Sequence, residues 1–425
     1  MILMEVIQLI NNKMLLRNKL KTMLNRKASW MAIAVVTLTV VACGDDKEAV
    51  LKAKKAEAVK TYADIVHANY QDALTSAKSL QGAIKEMTEE PNEASFQAAK
   101  DAWLAAREPY GQSEAFRLYG GPIDDEDGPE GRMNAWPMDE SYVDYTNGAT
   151  NGDDPTLNIG TNIINSPDAF PTISATVLAG LNEAGGETNV STGWHAIEFL
   201  LWGQDVSPEA GGGERTYADY VVNGDVANAE RRATYLNAVA DLLVSDLQSL
   251  VDEWAPESAF RINFTSEAQI DASLEKLLNG IGKLSKGELA GERMFVAWDL
   301  QSKEDEHSCF SDNTHRDIVA NAQGIKNVYE GKYVRLDGSV VEGVGLDQVA
   351  ELVNPSLNSE LKGLLDKSLM AVEAIQAPFD QEILGADTAP GRIRVKAGFV
   401  ALREQGDKLA ELASALGYTL DPNDI

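Results

Sequence analysis

Four histidines occur among the 425 residues, and three of them stand near carboxylates at spacings that permit chemistry. His195 and Glu198 are the only ionisable groups in the apolar run from Gly193 to Gly203. Their three-residue separation sets them side by side on one face of a helix. A buried imidazole and a buried carboxylate both need partners. One solution is a satisfied core pair. The other is half of a metal or substrate site, since a neutral imidazole nitrogen and a carboxylate oxygen are both ligands for borderline cations. Spacing leaves both open, and two ligands do not complete a site.

A second polar stretch runs from Glu304 through Asp305, Glu306, His307, Ser308, Cys309, Ser311 and Asp312 to His315. Part of it reads as a solvated acidic helix end followed by a new helix capped by Ser311 or Asp312. Capping accounts for neither His307 nor His315, so the stretch is read as the other half of a site. Cys309 stands alone in the body of the chain and reads as a small buried hydrophobe. His67 has no polar company and is given no role. Other motifs fail their tests. Asp124-Asp125-Glu126-Asp127-Gly128 would need Ile123 and Asn134 as the first and twelfth ligands of a calcium loop. The Gly211-Gly212-Gly213-Glu214 turn lacks the Lys-Ser/Thr of a phosphate loop, and no His-Glu-x-x-His or Gly-x-Ser-x-Gly occurs.

The elements that must position these groups are helical. A stripe through Val59, Tyr62, Val66, Tyr70, Ala73, Ala77, Leu80 and Ile84 predicts a first helix that ends at Glu89-Glu90-Pro91. Phe96, Trp103, Tyr110 and Phe116 mark a second, stopped by Gly120-Gly121-Pro122. Residues 120–190 lose the long period and predict short helices and a functional surface. Leu236, Ala240, Leu243, Leu247, Leu250 and Trp254 predict a bundle rod over 232–254, followed by a link at Arg261-Ile262-Asn263. Gly280, Gly282, Gly287 and Gly291 predict either close backbone approach or plain loop. A helix over Ile318–Tyr329 precedes a hairpin near 333–342, whose Asp337-Gly338 supplies the positive-φ turn, and two further helices close the chain. The expected fold is all-α: a domain over 43–257 and another over 258–425, each of four-helix-bundle type, packed together.

Charge and cysteines narrow the function. Of 37 basic and 66 acidic residues, six Lys/Arg and one Glu lie in residues 1–42, leaving 31 basic against 65 acidic in the remainder. Such a surface repels phosphate and excludes nucleic acid as a partner, while it attracts cations. With only Cys43 and Cys309, no disulfide framework is expected. Lys21, Arg26 and Lys27 precede an uncharged run over 28–41, the anatomy of a secretory signal. Its ending, Val40-Val41-Ala42-Cys43, resembles a bacterial lipobox. That resemblance implies a cleaved leader over 1–42, acylation of Cys43 and a membrane anchor made of lipid. Gly44 lacks the aspartate that resembles an inner-membrane retention signal, so the expected location is the outer membrane, facing the periplasm.

Gly193-Trp194-His195-Ala196-Ile197-Glu198 resembles the Gly-x-His-x-x-Glu motif of the imelysin family, and the chain is especially similar to its iron-regulated protein A branch. Supporting blocks are Glu114-Ala115-Phe116-Arg117, Asn134–Glu140, Gly287–Met294 and Asp305–His315, which follow family order. The resemblance implies two helical domains with a polar site where they meet, in a cell-envelope protein linked to iron uptake. On that reading His195, Glu198, Asp305, Glu306, His307 and His315 hold a metal or ligand, iron or zinc being the candidate ion. Arg117 and Arg293 balance the carboxylates, which would favour an anionic ligand or iron chelate over a bare cation. Expected partners are iron or an iron-bearing ligand and envelope iron-transport proteins. Family members are also classed as metallopeptidases, so a zinc peptidase using Glu198 stands as the rival. An interaction module docking an envelope partner through 120–190 stands as a third reading. In the folded chain the His195 ring should lie within about 10 Å of a side chain from 304–315, close enough for one ion or water between them.

Overall fold

The structure is a computed structural model that describes residues 47–146, 162–206 and 212–420. The leader over 1–42, Cys43 with its lipobox and part of the 120–190 segment lie outside the described residues. The chain divides into two compact units, Met1–Lys54 and Lys55–Ile425. The described part of the first, residues 47–54, is helical.

Among its described residues the second unit is all-α apart from one two-stranded hairpin. Its long helices are α1 (55–89), α2 (Glu93–Ser113), α3 (Gly193–Trp202), α4 (Ala229–Glu253), α5 (Ile270–Lys283), α6 (Thr314–Glu330), α7 (Pro355–Glu373) and α8 (Pro390–Ala415). The predicted stripe of α1, from Val59 to Ile84, is buried throughout. Pro91 follows its end, and Asn92 starts α2 with a capping box, accepting from the Ala94 and Ser95 amides. The apolar positions predicted for α4 are likewise buried, from Leu236 to Trp254. In the 120–190 segment, Glu130–Met133, Glu140–Val143 and Ala175–Leu181 are short helices. The hairpin pairs Lys332–Val334 (β1) with Val340–Glu342 (β2), antiparallel. Its loop is wider than a two-residue turn, closed by Arg335 N–H to Ser339 O, and within it only Gly338 takes positive φ.

Three local expectations are corrected. The 261–263 link is inside a helix, Ala259–Phe264, because Ser258 caps it and the Arg261 side chain finds the Trp254 and Ala63 carbonyls. Of the two readings of the glycine-rich stretch, plain loop fails, since α5 passes into a π-helix over Leu284–Phe295, while close approach holds at Gly280, where a Cβ would sit 2.8 Å from the Arg117 carbonyl oxygen. The helix after the second polar stretch begins at Thr314, with Asn313 as its N-cap, so neither Ser311 nor Asp312 caps it.

Packing brings the polar segments together. Helix α3 is buried on every side, as an all-round apolar helix must be, and it packs on α2 and α4. Helix α6 packs on both α2 and α7, while α8 packs on α5, on α7 and on the π-helix. The α2–α6 approach is close enough that a Cβ at Gly324 would sit 2.2 Å from the Gln112 carbonyl oxygen. No helix among the described residues is long and apolar enough to cross a membrane.

Candidate functional site

Gly193 opens α3 at φ +83°, and a Cβ there would sit 2.4 Å from the Met133 carbonyl oxygen. Only glycine allows that contact, which seats the start of α3 against the 130–133 helix. From this helix His195 and Glu198 project together, both fully buried. His195 Nδ1 lies 3.0 Å from Glu198 Oε2. Glu198 Oε1 accepts from the Ser311 backbone N–H at 2.9 Å and the Ser311 hydroxyl at 2.7 Å. Burial raises the Glu198 carboxyl to about 8, and burial with nearby Arg107 lowers His195 to about 3. The pair is therefore neutral near pH 7, an acid hydrogen-bonded to an uncharged ring.

The second histidine meets the first. The His195 and His307 ring centroids are 4.8 Å apart, nearly perpendicular, inside the expected bound. His307 Nδ1 lies 2.9 Å from Asp317 Oδ2, which also accepts from the Ser308 hydroxyl at 2.5 Å and from Arg107 Nη2 at 2.9 Å. The buried Arg107 guanidinium and the bond from His307 hold Asp317 well below the usual carboxylate range, against the opposing effect of its burial. Burial and the Arg293 charge lower His307 to about 3. An ionised Asp317 takes the Nδ1–H of a neutral ring, which assigns a lone pair to His307 Nε2. The Nε2 atoms of His307 and His195 are both buried without a hydrogen-bond partner.

A charged layer continues from there. Arg107 Nη1 donates to Asn134 Oδ1 at 3.1 Å, and Asn134 Nδ2 donates to Glu114 at 2.9 Å. Glu114 is shared by Arg117 and Arg293, whose charges hold it ionised although it is buried. Arg293 also bonds Glu288 at 2.9 Å and Asn321 at 2.8 Å. Glu288 and Arg293 are five residues apart, the hydrogen-bond repeat of a π-helix, so the π segment sets this pair on one face.

These groups border a cavity of about 410 Å³ whose wall includes Arg117, Glu130, Asn134, Trp136, Glu183, Glu288, Glu292, Arg293, Asp305 and His307. His195 lies behind it: Trp136, 5.1 Å from the His195 ring, and His307 form the wall, and His195 does not. Asp305 and His307 share the wall because Glu306, between them, is extended (φ −81°, ψ 138°) and alternate side chains face opposite ways.

Two predicted site residues fall outside this arrangement. Glu306 is buried on the other side of that alternation, where Asp380, Asp312 and Asp205 add to the rise that burial imposes on its carboxyl. His315 sits on the first turn of α6, donates from Nδ1 to the Asp312 carbonyl at 3.2 Å, and lines a separate cavity of about 460 Å³ with Ser311, Glu108 and Arg316. Its helix turns Asp317, not His315, toward His307. Cys309 is buried and free, its thiol pushed up by burial. Sequence reading missed Arg107, Asn134, Asp317 and Asn321. The signal was present for two of them: Arg107 interrupts the apolar stripe of Trp103, Ala106 and Tyr110, and Asp317 adjoins inward-facing Ile318. A charge on a buried stripe must be paired.

Among the described residues, no group of three or more His, Cys, Asp or Glu side chains is arranged to hold a metal ion. The fold and this centre define a class: a mainly helical protein with a buried, neutral imidazole pair, one ring in the wall of an acidic cavity and the other behind it. A family profile described as Imelysin matches residues 66–409, and the chain belongs to the imelysin family. It is similar to iron-regulated protein A of Synechococcus elongatus, 24% identical over 396 residues that cover 91% of this chain and 92% of the relative. Among solved structures it resembles one described as an iron-regulated protein A precursor from Parabacteroides distasonis, with TM-score 0.66 at 21% identity, covering 86% of this chain and 95% of that one. An imelysin-like protein from Psychrobacter arcticum gives TM-score 0.60 at 15% identity, over 87% and 98% of the two chains.

Proposed function

We propose that this protein is a non-catalytic binding protein of iron acquisition, taking iron or an iron-bearing ligand into the 410 Å³ cavity. One observation carries the reading: His307 lines the cavity and its buried Nε2 lone pair has nothing to bond, and a polar side chain kept unpaired beside a cavity is a site for a ligand. The similarity to iron-regulated protein A supports iron as the cargo. One wall imidazole, with no group of three or more His, Cys, Asp or Glu side chains arranged to hold an ion among the described residues, favours an ion that brings its own ligands, as water or as a chelate. His195 and Glu198 act behind the wall, supporting His307 and Ser311.

A zinc peptidase needs three protein ligands around an open position, and the fully buried Glu198 is bonded to Ser311 rather than turned to the cavity. Titration of the purified protein with ferrous, ferric and zinc ions, repeated with His307→Ala, His195→Ala and Glu198→Ala, tests the binding role. The expected result is loss of iron binding in His307→Ala with smaller losses in the others. Equal binding by all four proteins removes His307 from the role.

The proposal extends to setting. Acylation of Cys43 would tether the body to the outer membrane on its periplasmic side, near envelope iron-transport partners, and the division into bundles at 257/258 belongs to the same reading. Metabolic labelling with a fatty-acid analogue, lost with Cys43→Ser, checks the anchor.

A further inference from the structure

We infer that the cavity selects cargo of net positive charge, a hydrated or amine-coordinated cation, and rejects anionic chelates. The inference rests on the cavity being the binding site, and it reverses the expectation drawn from Arg117 and Arg293. The wall carries five carboxylates, Glu130, Glu183, Glu288, Glu292 and Asp305, against those two guanidiniums. Each guanidinium is ion-paired, although the buried Nε of Arg117 has no hydrogen-bond partner. Arg117 is held by Glu114 and, at 3.0 Å, by Glu130, and Arg293 by Glu114 and Glu288. An anion entering to meet them would have to displace these carboxylates and leave Glu114 ionised and unpaired in the interior, a costly arrangement.

The outer wall points the same way. Glu183 and Glu292 are exposed, Asp305 is half-buried, and among the described residues none has a cationic partner within salt-bridge distance. Like charge in a cleft repels an anion and concentrates a cation. His307 supplies an independent sign. With Nδ1–H committed to Asp317, the buried Nε2 of this wall residue keeps an unpaired lone pair, which accepts from a coordinated water or amine and repels an anionic oxygen. Trp136 adds an aromatic ring to the same wall, and a cation over such a ring's face is favoured.

Two exchange-inert octahedral probes of similar shape and opposite charge separate charge from inner-sphere ligation: hexaamminecobalt(III) and hexacyanocobaltate(III). Calorimetric titration of the full chain should show the ammine complex bound more tightly than the cyanide complex by about tenfold or more. The double variant Glu292→Gln/Asp305→Asn should lose that preference. Glu253→Gln/Glu257→Gln, which removes two exposed carboxylates outside the cavity, should keep it. Equal affinities, preference for the cyanide complex, or the same loss in both double variants overturns the charge inference. So does failure of the ammine complex to bind while ferrous binding still depends on His307. Ferrous binding indifferent to His307→Ala, together with ammine binding indifferent to the cavity variants, overturns the site itself.

Discussion

His307 shows how one side chain is set by its neighbours. Its burial disfavours charge, Asp317 takes its Nδ1–H, and Arg107 keeps Asp317 ionised, so the lone pair at Nε2 follows from a chain of three residues on three segments. Asp317→Asn keeps the shape and removes the charge, leaving Arg107 buried without its counter-ion. We expect about 3 kcal/mol or more of lost stability in denaturant unfolding, with weakened iron binding in calorimetry. Elsewhere, burial raises Glu140 to about 8, with Glu304 and Asp139 adding to the rise. Its folded-state value lies above its unfolded one, so between roughly pH 4.5 and 8 the folded chain holds the extra proton. That contribution is complete below about pH 4.5 and falls by about 1.4 kcal/mol per pH unit up to about pH 8. Glu140→Gln should flatten this limb of a stability profile measured by urea unfolding, and an unchanged slope would refute the assignment.

Among the elements, α2 and α6 decide the site most directly, since they bring Arg107 to Asp317 and, through Gly111 and Asn321, reach toward Arg293. Their spacing depends on Gly324, where an added methyl meets the Gln112 carbonyl. Gly324→Ala should cost about 1–3 kcal/mol of stability by forcing the helices apart. It should also weaken ligand binding more than an alanine at exposed Gly363, which meets nothing within 4 Å. The π-helix has a separate role: deleting one residue from it outside the 288–293 interval, such as Gly287, would restore the α-helical repeat with Glu288 and Arg293 still five residues apart, and so turn Glu288 away from Arg293. Circular dichroism should then stay helical while iron binding falls. Both elements were half legible. The inward stripe of α6 is plain in Ile318, Ala322, Ile325 and Val328, whereas the glycines of 280–291 do not distinguish a loop from a π-helix. That choice depends on what packs against the segment, and α8 is distant in sequence.

For the molecule as a whole, a formal charge of −29 creates a long-range field that draws cations toward an acidic cavity. Raising ionic strength from about 0.01 M to 0.15 M shortens the screening length from roughly 30 Å to 8 Å. Stopped-flow association of ferrous ion should slow accordingly while dissociation changes little. Association insensitive to salt would count against electrostatic capture.

The sequence by itself determined the helical class, the stripes that face the core, the hairpin at Asp337-Gly338 and the family blocks. Each is local, fixed by side-chain periodicity, turn residues or short motifs that neighbours in the chain enforce. It also singled out His195, Glu198 and His307, because ionisable groups in apolar or crowded surroundings need partners. Only the tertiary structure decided who those partners are. Ser311 takes Glu198, Asp317 takes His307, and Arg107 and Asn134 join the histidines to Glu114. The same step sent Glu306 and His315 elsewhere and put His195 behind the cavity wall rather than in it. The reason is that burial and pairing are properties of segments brought together from across the chain. Residues 107, 134, 195, 307 and 317 sit on five segments, and no spacing along the sequence encodes the few ångströms between them.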